Sequence, residues 1–424
     1  MNGQTRASRI ARRAATGFLT VALGGCGVVD NLISVDSPSR VIGERLADPS
    51  AAGLLLASAI TDFECALSRY VVAAGLFGDE FADSQTSSIF GLYDGRQVGT
   101  SSLYSSGTCN DAATVYKPLS AARWQADNIL GLLEGWTDAQ VANRTAMIAT
   151  AAAYSGYSHT LMGEAMCSAA FDLGPEQTPA QTFQRSEERF TRALAAAQTA
   201  ANPEYVNMSR LGRARARLNL GRAADAAVDA RLIPPGFVKN ANYSSVSLRT
   251  ENTVFVANSR LSWATVGDLF RDVRFLGVRD PRVDVIDAGR PGAHPQVRLW
   301  LQRKYAAPTS SVPIATTEEA QLIIAEAELA AGNLQAAVNV INTFHTQLGL
   351  PPFASSNATE IKNQIIYERR AELFLESHHL GDNRRYNLPL IPAPGTPYSY
   401  GGLYTDLRCF PLPDIERFNN PNIG

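Results

Sequence analysis

Carboxylates, histidines and cysteines are the side chains of this chain that could do chemistry, and their spacing limits what that chemistry is. Glu368, Glu372 and Glu376 recur at intervals of four, which lines them along one face of a helix. Three carboxylates in a row either form an acid/base or cation site or are neutralised by cations opposite. Arg369, Arg370, Arg384 and Arg385 are the nearest cations in sequence, and paired charges of this kind commonly serve structure. The expectation is therefore a structural ion network. Asp79 and Glu80 adjoin each other and so point to different faces. A glycosidase needs two carboxylates a set distance apart across a cleft, which adjacency in the chain does not supply. The five histidines (159, 294, 345, 378 and 379) are scattered apart from the last two. No CxxC or Cys/His cluster has zinc spacing, and no Ser-His-Asp order, nucleophile elbow, P-loop or HExxH is present. A binding protein is expected, with no catalytic residue, metal or cofactor.

The first cysteine belongs to a different chemistry. Arg6, Arg9, Arg12 and Arg13 form a basic segment, residues 14–23 a short apolar run, and Leu23-Gly24-Gly25-Cys26 follows. The run is too short to span a bilayer, and its flanks fit an export signal. The last four residues are similar to a bacterial lipobox, whose cysteine becomes the lipidated first residue after cleavage. That similarity implies a leader at 1–25, lipidation of Cys26, a tether at 26–50, and attachment to a membrane by lipid. No later stretch reads as a membrane-spanning helix. Cys65, Cys109, Cys167 and Cys409 remain, and an even number in an exported chain points to two disulfides, with three connectivities open. Cys65–Cys109 is the expected first pair, since these two are nearest in sequence and flank a loop at 82–108. Cys167–Cys409 would then tie the C-terminal segment to the body.

The rest of the chain has to position these groups. It has 424 residues, 45% hydrophobic and 18% charged, enough apolar material for a large core. Acids number 40 and bases 38, a net charge of −2, and loss of the four arginines of the leader would make it −6. That excludes the basic footprint of a nucleic-acid binder. Helical periodicity covers about 51–78, 113–134, 138–163, 182–201, 204–219, 221–231, 317–331, 333–348 and 357–378. Two stretches break it. Residues 82–112 are rich in Ser, Gly, Thr, Asp and Tyr, and 234–313 carry Pro, Gly, Asn and Trp, a strand-like Thr253-Val254-Phe255-Val256 and one amphipathic run near 264–276. An internal repeat joins 214–227 to 325–338: Ala216 matches Ala327, Gly221 matches Gly332, and Ala226 matches Ala337. Helix, glycine turn and small-faced helix is the logic of tetratricopeptide-like pairs.

The C-terminal third carries a sharper pattern. Lys304-Tyr305 precedes Thr317-Glu318-Glu319-Ala320, Glu326 and Gly332. Ile366-Tyr367-Glu368-Arg369, Glu372 and Glu376 come next, then Asp382 and Arg385, and the chain closes on Phe410-Pro411-Leu412-Pro413, Glu416 and Asn420-Pro421. This order resembles the SusD/RagB family of outer-membrane nutrient-binding lipoproteins. It departs at Ser377, where Gly is usual, and at Thr343-Phe344-His345, where an Asn-x-x-Arg pattern is common. The resemblance implies an all-α, tetratricopeptide-like superhelix with long irregular loop regions packed on one side, forming a single domain over 51–424. It implies a non-catalytic partner of a TonB-dependent, SusC-like outer-membrane transporter, receiving glycans or other nutrients.

A sugar offers an apolar C–H face and a rim of hydroxyls, so its recognition takes exposed rings beside polar groups. Two irregular segments have that mix: 82–108, with Phe90, Tyr93, Asp94, Arg96 and Tyr104, and 237–300, with Tyr243, Trp263, Arg271, Asp272 and Trp300. Tyr93, Arg96, Tyr104, Tyr243 and Trp263 are the ligand-binding candidates. Tyr93 and Trp263 have polar or small neighbours and read as the exposed rings, whereas Trp300 sits between Leu299 and Leu301 and reads as core. A protein-binding scaffold of the tetratricopeptide type in the periplasm is the competing function.

Overall fold

A computed structural model describes residues 48–423 save 86, 87, 102, 112, 113 and 419. The leader, Cys26 and the tether up to residue 47 lie outside the described residues. Twelve named helices carry the argument: α1 Ala52–Phe77, α2 Ser88–Asp94, α3 Tyr116–Gly135, α4 Arg144–Ala165, α5 Pro179–Thr199, α6 Pro203–Asn219, α7 Ala223–Ala230, α8 Thr317–Ala330, α9 Leu334–Leu348, α10 Ala358–Glu372, α11 His379–Arg385 and α12 Asp414–Phe418.

Local sequence sets several of these boundaries. Thr178 and Gln181 form a capping box at the start of α5 with Pro179 in its first turn. The Asn202 side chain caps α6 ahead of Pro203, and Thr316 caps α8. Each of α3 to α6 packs on the next in sequence, α7 bridges α6 and α8, and α9 and α10 both lie on α8. At the centre, every residue of α4 from Ile148 to Ala165 is buried, so α4 is a core helix covered on all sides.

Small residues let these helices approach. A Cβ on Gly156 of α4 would stand 2.8 Å from the Phe190 ring, and one on Gly212 of α6 only 2.2 Å from it, so Phe190 of α5 fills both hollows. Gly163 does the same for Phe183, at 2.6 Å. In the repeat, Gly221 and Gly332 take φ of +76° and +79°, the left-handed turn expected of them. Ala216, Ala226, Ala327 and Ala337 are all buried.

The irregular stretches depart from an all-α architecture. Among the described residues they hold four two-stranded antiparallel sheets. β1 (Phe81–Asp83) pairs with β3 (Ala264–Val266) in the register Phe81↔Val266, and β2 (Val238–Ala241) pairs with β8 (Val312–Thr316). β4 (Arg274–Phe275) and β5 (Val278–Arg279) form a tight hairpin, and β6 (Val285–Pro291) and β7 (Arg298–Gln302) a longer one. The strand-like Thr253-Val254-Phe255-Val256 is instead a helical turn, Thr253–Phe255, continued by a π turn over Val256–Arg260. Asn252 decides this by accepting from the Val254 and Phe255 amides, a helix cap that overrides β-branched propensity. The amphipathic run near 264–276 is broken into β3, a 3₁₀ turn and β4, because pairing with β1 claims Ala264–Val266.

The helix α1 is apolar and long enough to cross a membrane by composition. Every residue from Cys65 to Phe77 is nevertheless buried, which makes this half of α1 a core element. Cys65 is bonded to Cys109 and Cys167 to Cys409, the two pairs expected from the spacing.

Candidate functional site

The glutamate row is engaged in structure. Glu368 is fully buried and receives Arg282 at 2.8 Å, His345 Nε2 at 2.8 Å and Gln364 Nε2 at 2.6 Å. Glu372 also meets Arg282, at 3.3 Å, and Glu376 pairs with Lys304 at 2.5 Å. The cations are thus not those nearest in sequence. Arg369 and Arg385 turn the other way, to Asp382 and Glu326. Helix α10 ends at Glu372, so Glu376 does not continue its face. His345, in the segment that departs from the family pattern, supplies a partner for Glu368. Asp79 accepts from His379 at 3.0 Å, and Glu80 accepts the Leu375 amide at 2.7 Å. Burial pushes the Glu80 carboxyl up to about 7.

The C-terminal segment is a packed extended end. Phe410 is inaccessible and lies among Phe77, Tyr93 and Tyr104, with ring centroids at 4.8, 5.5 and 5.9 Å. Its backbone bridges the end of α4, donating to the Ala165 carbonyl and accepting from the Cys167 amide, each at 2.8 Å.

These contacts correct most of the ligand candidates. Tyr93 and Tyr104 are 0% exposed, because both rings enclose Phe410. Arg96 is buried as well. It donates to the carbonyls of Thr405, Ile391 and Pro392, and lies 5.0 Å from the Tyr404 ring. It fastens the C-terminal loop and has no face for a ligand. Tyr243 is half-buried and donates to the Glu64 carbonyl of α1 at 2.8 Å. Trp300 is half-buried on β7, with Arg271 at 5.4 Å from its ring, and so is less enclosed than its leucine neighbours suggest.

Trp263 differs. It is half-buried and lines a cavity of about 390 Å³ between α1, α2, the 103–111 loop, Thr114 and the 248–263 segment. The buried Phe90 ring meets it edge to face, at 6.0 Å and 82°. The position of Trp263 is enforced by its backbone, which accepts from Ser84 at 2.9 Å and donates to Ala257 at 2.8 Å. Arg69 of α1 underlies the cavity and joins its walls. It donates to the carbonyls of Cys65 at 3.3 Å, Leu248 at 2.9 Å and Cys109. Burial brings its guanidinium down to about 10. The Cys65–Cys109 disulfide lies at this same junction and anchors the 103–111 wall to α1. Sequence reasoning missed Arg69, since a lone arginine in an apolar helix reads as core. It also missed Leu103, Leu248 and Leu261, which give no signal as aliphatic residues in loops.

Comparison with known proteins bears on this arrangement. The sequence profile of the SusD family matches residues 319–407, the segment whose glutamate, His345 and Asp382 pairings are described above. The chain is SusD/RagB-like. Its fold is that of SusD-like proteins. A SusD-like carbohydrate binding protein from Bacteroides vulgatus superposes with TM-score 0.65 at 15% identity, over 89% of this chain and 97% of the other. A SusD superfamily protein from Parabacteroides distasonis gives TM-score 0.67 at 13% identity, over 91% and 99%. A laminarin binding SusD-like protein gives TM-score 0.57 at 14% identity, over 89% and 98%. No protein of curated function matches the sequence.

Proposed function

We propose that this SusD/RagB-like chain is a non-catalytic surface lipoprotein that captures a glycan or other oligomeric nutrient and delivers it to a SusC-like, TonB-dependent transporter of the outer membrane. In this reading the helices form a tetratricopeptide-like superhelix, with Gly221 and Gly332 turning equivalent pairs. Cys26 carries the lipid, and the irregular segments hold the ligand. The observation that carries the reading is the cavity under Trp263, a half-exposed indole braced by Phe90 and ringed by loops. Its volume of about 390 Å³ lies within the range of small-ligand sites. Long ordered loops on a rigid scaffold are where binding residues concentrate. The carbohydrate-binding and laminarin-binding names of similar structures agree with a glycan.

The test is a glycan, peptide and metabolite array on the mature protein, followed by calorimetry of the best ligand with Trp263→Ala. Loss of one ring contact of about 1–2 kcal/mol lowers affinity roughly five- to thirty-fold. Unchanged affinity in a variant with an unchanged melting temperature would refute the assignment of this cavity.

A further inference from the structure

Four of the polar side chains that line the cavity are held by the protein. Glu251 is held by Arg260 through two bonds of 2.8 and 2.6 Å. Asp111 accepts from the Thr108 amide at 2.8 Å and its hydroxyl at 3.2 Å. The Thr253 hydroxyl lies 3.1 Å from that of Ser68, and Arg69 is directed at backbone carbonyls. A bare sugar ring brings several hydroxyls that each lose water on entry, and these four groups have much of their hydrogen-bonding capacity taken; the Asp111 oxygen not bonded to Thr108 and the buried, unpartnered Thr114 hydroxyl are left for few of them.

The apolar lining has the opposite character. Phe90, Val256 and Leu261 stand with Trp263 inside the cavity. At its edge, Leu103 is 60% and Leu248 56% exposed. These two leucines come from different segments and both line one cavity, so they are not scattered surface residues. Aliphatic groups left in water beside an aromatic floor gain by covering apolar surface, and they offer nothing to a hydroxyl.

We propose that the cavity receives an apolar substituent of a glycoconjugate, an acyl, alkyl or aryl group, while the sugar to which it is attached lies outside the two leucines. This rests on the glycan-binding reading above and names the part of the ligand that enters.

The experiment is calorimetric titration with methyl, butyl and hexyl β-D-glucosides below their micelle thresholds, with laminarin as an unsubstituted glycan. Burying a methylene raises affinity about four-fold when burial is complete. Hexyl glucoside is therefore expected to bind at least ten-fold more tightly than methyl glucoside. The Leu103→Asn/Leu248→Asn double variant, whose changed side chains are solvent-exposed, is expected to keep its melting temperature and lose this gain. A flat alkyl series beside Trp263-dependent binding of laminarin or of an array glycan would overturn this proposal and leave the glycan reading standing. A chain-length gain that survives the double variant would place binding elsewhere and also overturn it. If no glucoside, laminarin or array glycan binds, both fall.

Discussion

Replacing Glu319 by Gln is expected to stabilise the protein in alkaline solution and to do little in acid. Glu319 sits in the first turn of α8, is 1% exposed, and its two carboxylate oxygens have no hydrogen-bond partner among the described residues. The nearest cationic candidate is His378, with Nδ1 at 3.9 Å. That imidazole is held neutral, its pKa driven well down by burial and then by Arg215. Arg215 is itself committed to Glu164 by bonds of 2.8 and 2.6 Å. Burial pushes the Glu319 carboxyl from the ordinary 4.5 up to about 7, against the pull of Arg215 and Arg369. A raised carboxyl means that the folded state holds a proton the unfolded chain has released. Glu319 therefore costs nothing below about pH 4.5, costs more as pH rises, and reaches its full cost above about 7. At about 1.4 kcal/mol for each pH unit, that cost is about 3 kcal/mol. Glutamine keeps the shape and cannot ionise. Urea unfolding of both proteins at pH 5 and 8.5 measures the difference, and Glu80 and Asp94, also raised to about 7 by burial, titrate in both and cancel. A Gln variant whose stability relative to the parent is the same at both pH values would refute the reasoning, because it would show that Glu319 does not change charge between them on folding.

Cys26→Ser is expected to release the protein from membranes; a variant that still fractionates with the outer membrane after detergent-free washing would exclude lipid as the tether. Tyr93→Ala is expected to behave oppositely to Trp263→Ala, losing roughly 3–5 kcal/mol of stability through a cavity beside Phe410, and a normal melt would show that Tyr93 is not a packing residue. Gly212→Ala places a methyl 2.2 Å from Phe190 and is expected to cost about 1–3 kcal/mol by overpacking. Part of that loss should return in Gly212→Ala/Phe190→Leu, as read by chemical denaturation, and strict additivity of the two changes would count against the contact.

What the sequence determined by itself was local. Helical periodicity marked α5 and α6, expected over 182–201 and 204–219, and they begin within three residues of those starts, at Pro179 and Pro203, where Thr178 and Asn202 cap them. The turns at Gly221 and Gly332 are legible because positive φ selects glycine whatever lies nearby. The C-terminal pattern was also legible, since its glutamates and its Phe-Pro-Leu-Pro stand in fixed order. The tertiary structure alone decided the partners. Glu368 takes Arg282 from a distant hairpin region rather than its neighbour Arg369, because neutralising a buried carboxylate depends on which cation the fold brings to 2.8 Å. Tyr93 and Trp263 both fall in stretches whose sequence reads as polar loop, yet one ring, on α2, is sealed by Phe410, more than 300 residues away, and the other is left at a cavity wall. Exposure of a ring is set by what packs on it, and that contact has no trace in the ring's own sequence neighbourhood. The same holds for Arg69: its role at the cavity exists only because a disulfide and two loops converge on the middle of α1.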